Sequence, residues 1–126
     1  MSKERQLTMI QYPKCGTCRT ALKSLQSKGN DVQSRHIVED TPTAEELKII
    51  VANSGLELKK FFNTSGDVYR ELGLKDKLAA MSEDEKYALL ASNGMLIKRP
   101  IVTDGKKVTV GYKEDQYEEA WNNGKG

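Results

Sequence analysis

An apolar run that stops at a proline and restarts as a helix constrains this chain more than any other stretch, and both cysteines sit at the junction. Leu7 to Tyr12 reads as a buried first strand, which Pro13 ends and Gly16 loosens into a turn. From about Thr17 to Lys28, the residues Cys18, Ala21, Leu22 and Leu25 recur at i, i+3, i+4 and i+7, one apolar face of a helix. Gly29 and Asn30 stop that helix, and Val32 to Val38 follows as a weakly alternating second strand containing His36. A strand–helix–strand start demands a right-handed crossover and a parallel first pair. The chain is therefore committed to an α/β plan.

The junction reads Tyr12-Pro13-Lys14-Cys15-Gly16-Thr17-Cys18-Arg19. A Cys-x-x-Cys between a strand and a helix is a thiol–disulfide signature. A cysteine at a helix start faces unpaired N–H groups and the positive end of the helix dipole, which favour the reactive thiolate. Lys14 and Arg19 add positive charge nearby. Cys15 is thus expected to be exposed and activated, and Cys18, one turn on and facing the core, to be the resolving thiol. A structural zinc needs four ligands, and beyond the cysteines only His36 is available, so a Cys/His site within one chain is excluded. No metal and no cofactor are expected. A permanent structural disulfide is not expected in a chain without an export signal. Two inert core thiols remain the bland alternative.

The next block is helical in character. Thr43 and Glu46 form a capping-box pair after Pro42, Leu47, Ile50 and Val51 share one face, and Gly55 ends the helix. Leu58 to Phe62 is a short amphipathic piece whose Lys59 and Lys60 read as a solvated edge, and Asn63-Thr64-Ser65-Gly66 reads as a turn. Val68 to Leu72 is another short helix, closed by Gly73. Ser82 and Glu85 give a second capping box, leading through Ala88, Leu89 and Leu90 to a stop at Asn93-Gly94. After Arg99-Pro100, Ile101 to Thr103 is a strand, and Asp104-Gly105 is the strongest hairpin signal in the chain, answered by Val108, Val110 and Tyr112. Glu114 to Trp121 is a last helix, and Asn122 to Gly126 is expected to fray. The order is β-α-β, a helical insertion at about 41–95, then β-β-α, the plan of a thioredoxin-like domain with a small mixed sheet.

The 126 residues fit one domain with a core of its own. The net charge of +2 is too small to argue for direct DNA binding. Met1 to Gln6 is polar, and no apolar run approaches membrane-spanning length, so a cytoplasmic protein is expected; a monomer is expected as well.

Four motifs span nearly the whole chain: Pro13-x-Cys15-x-x-Cys18-Arg19, Tyr69-x-x-Leu72-Gly73-Leu74, Ile97-x-Arg99-Pro100-Ile101-Val102 and Gly111-Tyr112-x-Glu114-Asp115. Together they resemble the arsenate reductase-like family, and within it the Spx/MgsR-type branch, which includes redox-responsive transcriptional regulators. The resemblance implies that Cys15 is the nucleophile and Cys18 the second cysteine of the redox-switch branch. It implies that Arg99 faces the thiol and helps bind an oxyanion, and that Pro100 is the cis proline of thioredoxin-like folds. Arg19 and Asn63 complete the expected substrate-binding set. Two further arginines that the arsenate reductases place around the anion are replaced, Asn63 standing at one position and Gly111 near the other. A tetrahedral oxyanion wants several fixed, fork-shaped donors, so true arsenate reduction is not expected.

Three readings follow. The first is a thiol–disulfide oxidoreductase using Cys15, Cys18 and Arg99, served by a thiol reductant (glutathione with glutaredoxin, or the thioredoxin system). The second is an Spx-type redox sensor that binds the RNA polymerase α subunit. The third is a scaffold without remaining chemistry.

Overall fold

β1 (Arg5–Gln11) is the strand on which the sheet is built, and Leu7, Met9 and Ile10 on it are at most 1% exposed. In the computed structural model, which describes residues 5–64 and 66–122, β1 pairs in parallel with β2 (Asn30–His36), in register from Arg5 opposite Asn30 to Gln11 opposite His36. On its other side it pairs antiparallel with β3 (Ile101–Thr103), Met9 lying opposite Val102. β3 pairs antiparallel with β4 (Val108–Val110) across the Asp104-Gly105 turn, giving the order β2-β1-β3-β4. Asp104 Oδ1 accepts from the N–H groups of Lys106 and Lys107, and Gly105 has a φ of 95°, which closes the hairpin in the left-handed region.

The chain divides into two compact units. One comprises the segments up to His36 and from Arg99 onward; the other is Ile37–Lys98. In the first, α1 (Gly16–Ser27) and α6 (Glu114–Trp121) pack with the sheet around Leu7, Met9, Cys18, Ala21, Leu25, Val102, Tyr117 and Trp121. The helical face anticipated for α1 is the buried one, with Leu22 only partly covered. Two buried polar anchors join distant parts of this unit. Asn30 Nδ2 donates to the carbonyls of Leu25 (3.0 Å) and Trp121 (2.7 Å), and the Trp121 indole N–H donates to Thr109 Oγ1 (3.0 Å).

The second unit, the helical stretch expected at about 41–95, consists of short pieces. Both capping boxes form. Thr43 Oγ1 accepts from the Glu46 N–H at the start of α2 (Ala44–Ser54), and Ser82 Oγ accepts from the Glu85 N–H at the start of α5 (Glu83–Ser92). Gly55 ends α2 in the left-handed conformation. Between them lie α3 (Asp67–Glu71), α4 (Leu74–Lys77) and 3-10 turns at Leu58–Phe61 and Leu78–Ala80. The turn expected at Asn63 is present, Gly66 N–H donating to the Asn63 carbonyl at 3.1 Å. Gly94 sits so close to the backbone that an added Cβ would lie 2.0 Å from the Ile37 carbonyl oxygen. Ser65, the polar start Met1–Gln6 and the tail Asn122–Gly126, expected to fray, lie wholly or partly outside the described residues.

Candidate functional site

The chain leaves β1 at Gln11, and the Cys15 N–H donates back to the Tyr12 carbonyl at 2.9 Å. That turn sets Cys15 as the N-cap of α1, with extended φ and ψ of −85° and 117°. Its sulfur does the work an N-cap oxygen usually does: Cys15 Sγ accepts the Cys18 N–H at 3.3 Å. Cys15 is half-buried and Cys18 fully buried, and both are free thiols.

This difference in setting drives their acidities apart. Partial burial opposes ionisation of Cys15, but hydrogen bonds from the Cys18 thiol and N–H, the Arg99 charge and the Thr17 N–H together outweigh it, and its pKa is lowered. Burial pushes Cys18 up to about 12, and the neighbouring Cys15 adds to the rise. Cys18 also lies among Leu7, Met9, Val102 and Tyr117, in a core that disfavours a second thiolate.

Arg99 reaches this corner from the segment before β3. Its guanidinium lies 5.3 Å from the centre of the Tyr12 ring, which itself meets His36 edge-on at 5.8 Å. The bond between Arg99 and Pro100 is cis, as the resemblance implied. Pro100 is buried, and its carbonyl accepts the Gly111 N–H at 2.9 Å. The structure thus brings the Arg99 charge to both Cys15 and Cys18, with Pro100 next to it along the chain. Arg19 is exposed on α1, its N–H donating to the Cys15 carbonyl at 3.2 Å. Asn63 belongs to the helical unit, where its N–H donates to the Leu96 carbonyl at 2.7 Å and its side-chain amide lies 3.5 Å from the Met95 carbonyl. Tyr12 was missed as a site residue; its aromatic ring beside the first cysteine was the available signal.

A polar lock holds the far end of α1. Lys28 Nζ pairs with Glu114, lies 3.5 Å from Glu118 and donates to Ser24 Oγ at 2.9 Å. Ser24 Oγ and Tyr112 Oη both donate to Glu114 Oε1, at 2.7 and 2.6 Å. The Lys28 ammonium and these two hydroxyls pull the Glu114 carboxyl down to about 2. The lock ties the helix that begins at the cysteines to α6.

The ArsC family model matches residues 10–120. The uncharacterized protein YusI of Bacillus subtilis (strain 168) is 64% identical over 115 residues, covering 91% of this chain and 98% of that protein. The regulatory protein MgsR of the same organism is 33% identical, covering 86% and 85%. Among solved structures, an ArsC family related protein from Bacteroides fragilis superposes with a TM-score of 0.86 at 50% identity, covering 90% of this chain and 95% of that one. Arsenate reductase from Vibrio cholerae superposes with a TM-score of 0.83 at 30% identity, covering 93% and 98%. The fold is accordingly the thioredoxin-like α/β plan read from the sequence, and the chain belongs to the ArsC family.

Proposed function

We propose that this protein is a thiol–disulfide oxidoreductase with Cys15 as nucleophile and Cys18 as resolving thiol. The observation that carries the reading is the divergence of two thiols one helical turn apart, one eased toward thiolate and the other held protonated in the core. The Cys15 thiolate attacks one sulfur of a disulfide R–S–S–R′. The S–S bond breaks, R′–S⁻ leaves and takes up a proton, and a Cys15–S–S–R bond forms. That bond removes the Cys15 charge, and with it part of what holds the Cys18 proton. Cys18 then releases its proton to the departing thiolate or to water and attacks Cys15 Sγ, and R–S⁻ is expelled as the Cys15–Cys18 disulfide closes. The substrate gains two electrons and the protein loses two. A thiol reductant, glutathione with glutaredoxin or the thioredoxin system, returns them. Arg99 holds the Cys15 thiolate, and Arg19 and Pro100 would meet the partner. Arsenate is not the substrate in this reading, because Asn63 and Gly111 offer no guanidinium.

The deciding measurement is turnover by the reduced protein on a mixed glutathione disulfide, a protein disulfide and arsenate. Cys15→Ser should abolish disulfide reduction, and Cys18→Ser should accumulate mixed disulfides detectable by mass. Undiminished turnover in Cys15→Ser would overturn the proposal.

The likeness to a regulatory protein supports a second reading, in which the same disulfide is a switch and the partner is the RNA polymerase α subunit. Immobilised protein should then retain the purified α subunit to different extents when oxidised and when reduced. Equal retention, or none, would count against it.

A further inference from the structure

The helical unit carries a feature that the thiol chemistry does not use. Lys59, Lys75 and Lys86 rim a cleft of about 430 Å³ whose floor includes Phe62, Tyr69 and Leu78, all buried. A second hollow of about 300 Å³ shares Lys59 and Phe62 with it and adds Lys60, Lys98 and a single acid, Glu57. Lys59, Phe62 and Thr64 line both, so the two hollows adjoin, and the pair is termed the groove. Residues 37–98 contain eight Lys and Arg against eleven Asp and Glu, so this unit is acidic by sequence. Yet five of its eight cations line the groove, with one of its eleven carboxylates. None of the five lysines is ion-paired with a carboxylate among the described residues; the cations that are paired in this unit, Lys48 and Arg70, lie elsewhere. Five unpaired ammonium groups gathered on an otherwise acidic unit repel one another unless an anion joins them.

The form of the groove narrows what that anion is. The donors are point charges on flexible stems at the rim, and the floor is apolar. A compact oxyanion wants fixed, converging donors, which are not there. A nucleic acid or an anionic membrane would extend past the groove onto the acidic remainder of the unit. What fits is a ligand with an apolar centre and carboxylates to either side, in a cleft of ordinary binding-site size. We propose that this groove binds a short acidic peptide segment of another protein, one large apolar side chain lying on Phe62 and Leu78 and flanking Asp or Glu side chains meeting the lysines.

The test is an amide-shift titration of the isotope-labelled full chain with a synthetic capped peptide, Glu-Asp-Glu-Phe-Asp-Glu-Asp. Saturable shifts should centre on Lys59, Phe62, Tyr69, Lys75 and Lys86. The Lys59→Gln, Lys75→Gln, Lys86→Gln triple variant should bind at least about tenfold more weakly, as expected for loss of several partly desolvated charge pairs. Ala79→Glu, which places a carboxylate in the cleft and removes no lysine, should also weaken binding and guards against a folding defect in the triple variant. A peptide with Ala in place of Phe should bind about fivefold or more weakly through loss of the apolar contact. Cys15→Ser should bind as the unaltered chain does, which separates this proposal from the thiol chemistry. Absence of saturable shifts, shifts centred elsewhere, equal affinity for the Ala peptide, or equal affinity for inorganic phosphate or a short single-stranded DNA would each overturn it.

Discussion

Side chains in the sheet unit reach far along the chain, whereas those in the helical unit mostly reach one turn. Ser24 and Lys28 bond to Glu114, Asn30 bonds to the Trp121 carbonyl, and Trp121 bonds back to Thr109. In the helical unit, Thr41 bonds to Ile37 and Val38, Thr43 exchanges bonds with Glu46, Ser54 bonds to Val51, and Ser82 exchanges bonds with Glu85. The sheet unit is thus tied together by side-chain bonds between residues far apart in the chain. The helical unit rests largely on caps and left-handed glycines, each specified within a few residues, and on one close backbone approach between distant positions, Gly94 against Ile37.

The largest expected effect falls on that close approach. Gly94→Ala would drive a Cβ into the Ile37 carbonyl, backbone against backbone, and should cost about 3 kcal/mol or more in urea denaturation. Gly16→Ala, where an added Cβ meets nothing within 4 Å, should instead be neutral or stabilising by about 0.5 kcal/mol. Equal losses in the two variants would refute the account of Gly94.

In the sheet unit, Trp121→Phe strips the buried Thr109 hydroxyl of its donor and should cost about 2 kcal/mol. Thr109→Val leaves the indole N–H unpaired and should cost about 1–2 kcal/mol. The double variant should lose less than the two combined; strict additivity would mean the bond is not coupled.

Removing one cap at a time, Thr43→Ala and Ser82→Ala should each lose about 1 kcal/mol, with no change in the reactivity of Cys15 toward an alkylating agent. A changed alkylation rate would blur the contrast between the units.

The Glu114 lock gives the smallest effect, and one that depends on pH. Its carboxyl has an ordinary value of 4.5 and is held at about 2 in the folded chain. A depressed folded value means that its contribution is complete above pH 4.5 and is lost as pH falls toward 2. The stability difference between the unaltered chain and Glu114→Gln should shrink over that window. A difference independent of pH would show that the lock is not ionic.

What was legible in the sequence follows the same division. Both capping boxes, the Asp104-Gly105 hairpin and the placement of Cys15 and Cys18 at the start of a helix depend on residues within one turn of each other, and each was read from spacing alone. The segment Leu74–Ala80 was not resolved into helix and 3-10 turn, because seven residues are too few to show a period. The Lys28–Glu114 pair and the Arg99–Tyr12 contact bridge more than eighty residues, and no local pattern announces them. Lys59 and Lys60 read as a solvated edge; they line a groove because Lys75, Lys86 and Lys98, far along the chain, come to the same place.

Trp121 has a consequence beyond packing. It is the one tryptophan in the chain, it is fully buried, its indole is hydrogen-bonded, and the Lys107 ammonium lies 5.0 Å from its ring centre. Intrinsic fluorescence excited at the indole band therefore reports the sheet unit and is blind to Ile37–Lys98. Far-ultraviolet circular dichroism draws heavily on the helices of that other unit. Followed through the same denaturation, fluorescence records the sheet unit and circular dichroism the helices of both units, so a gap between the two transitions marks separate unfolding without any added label.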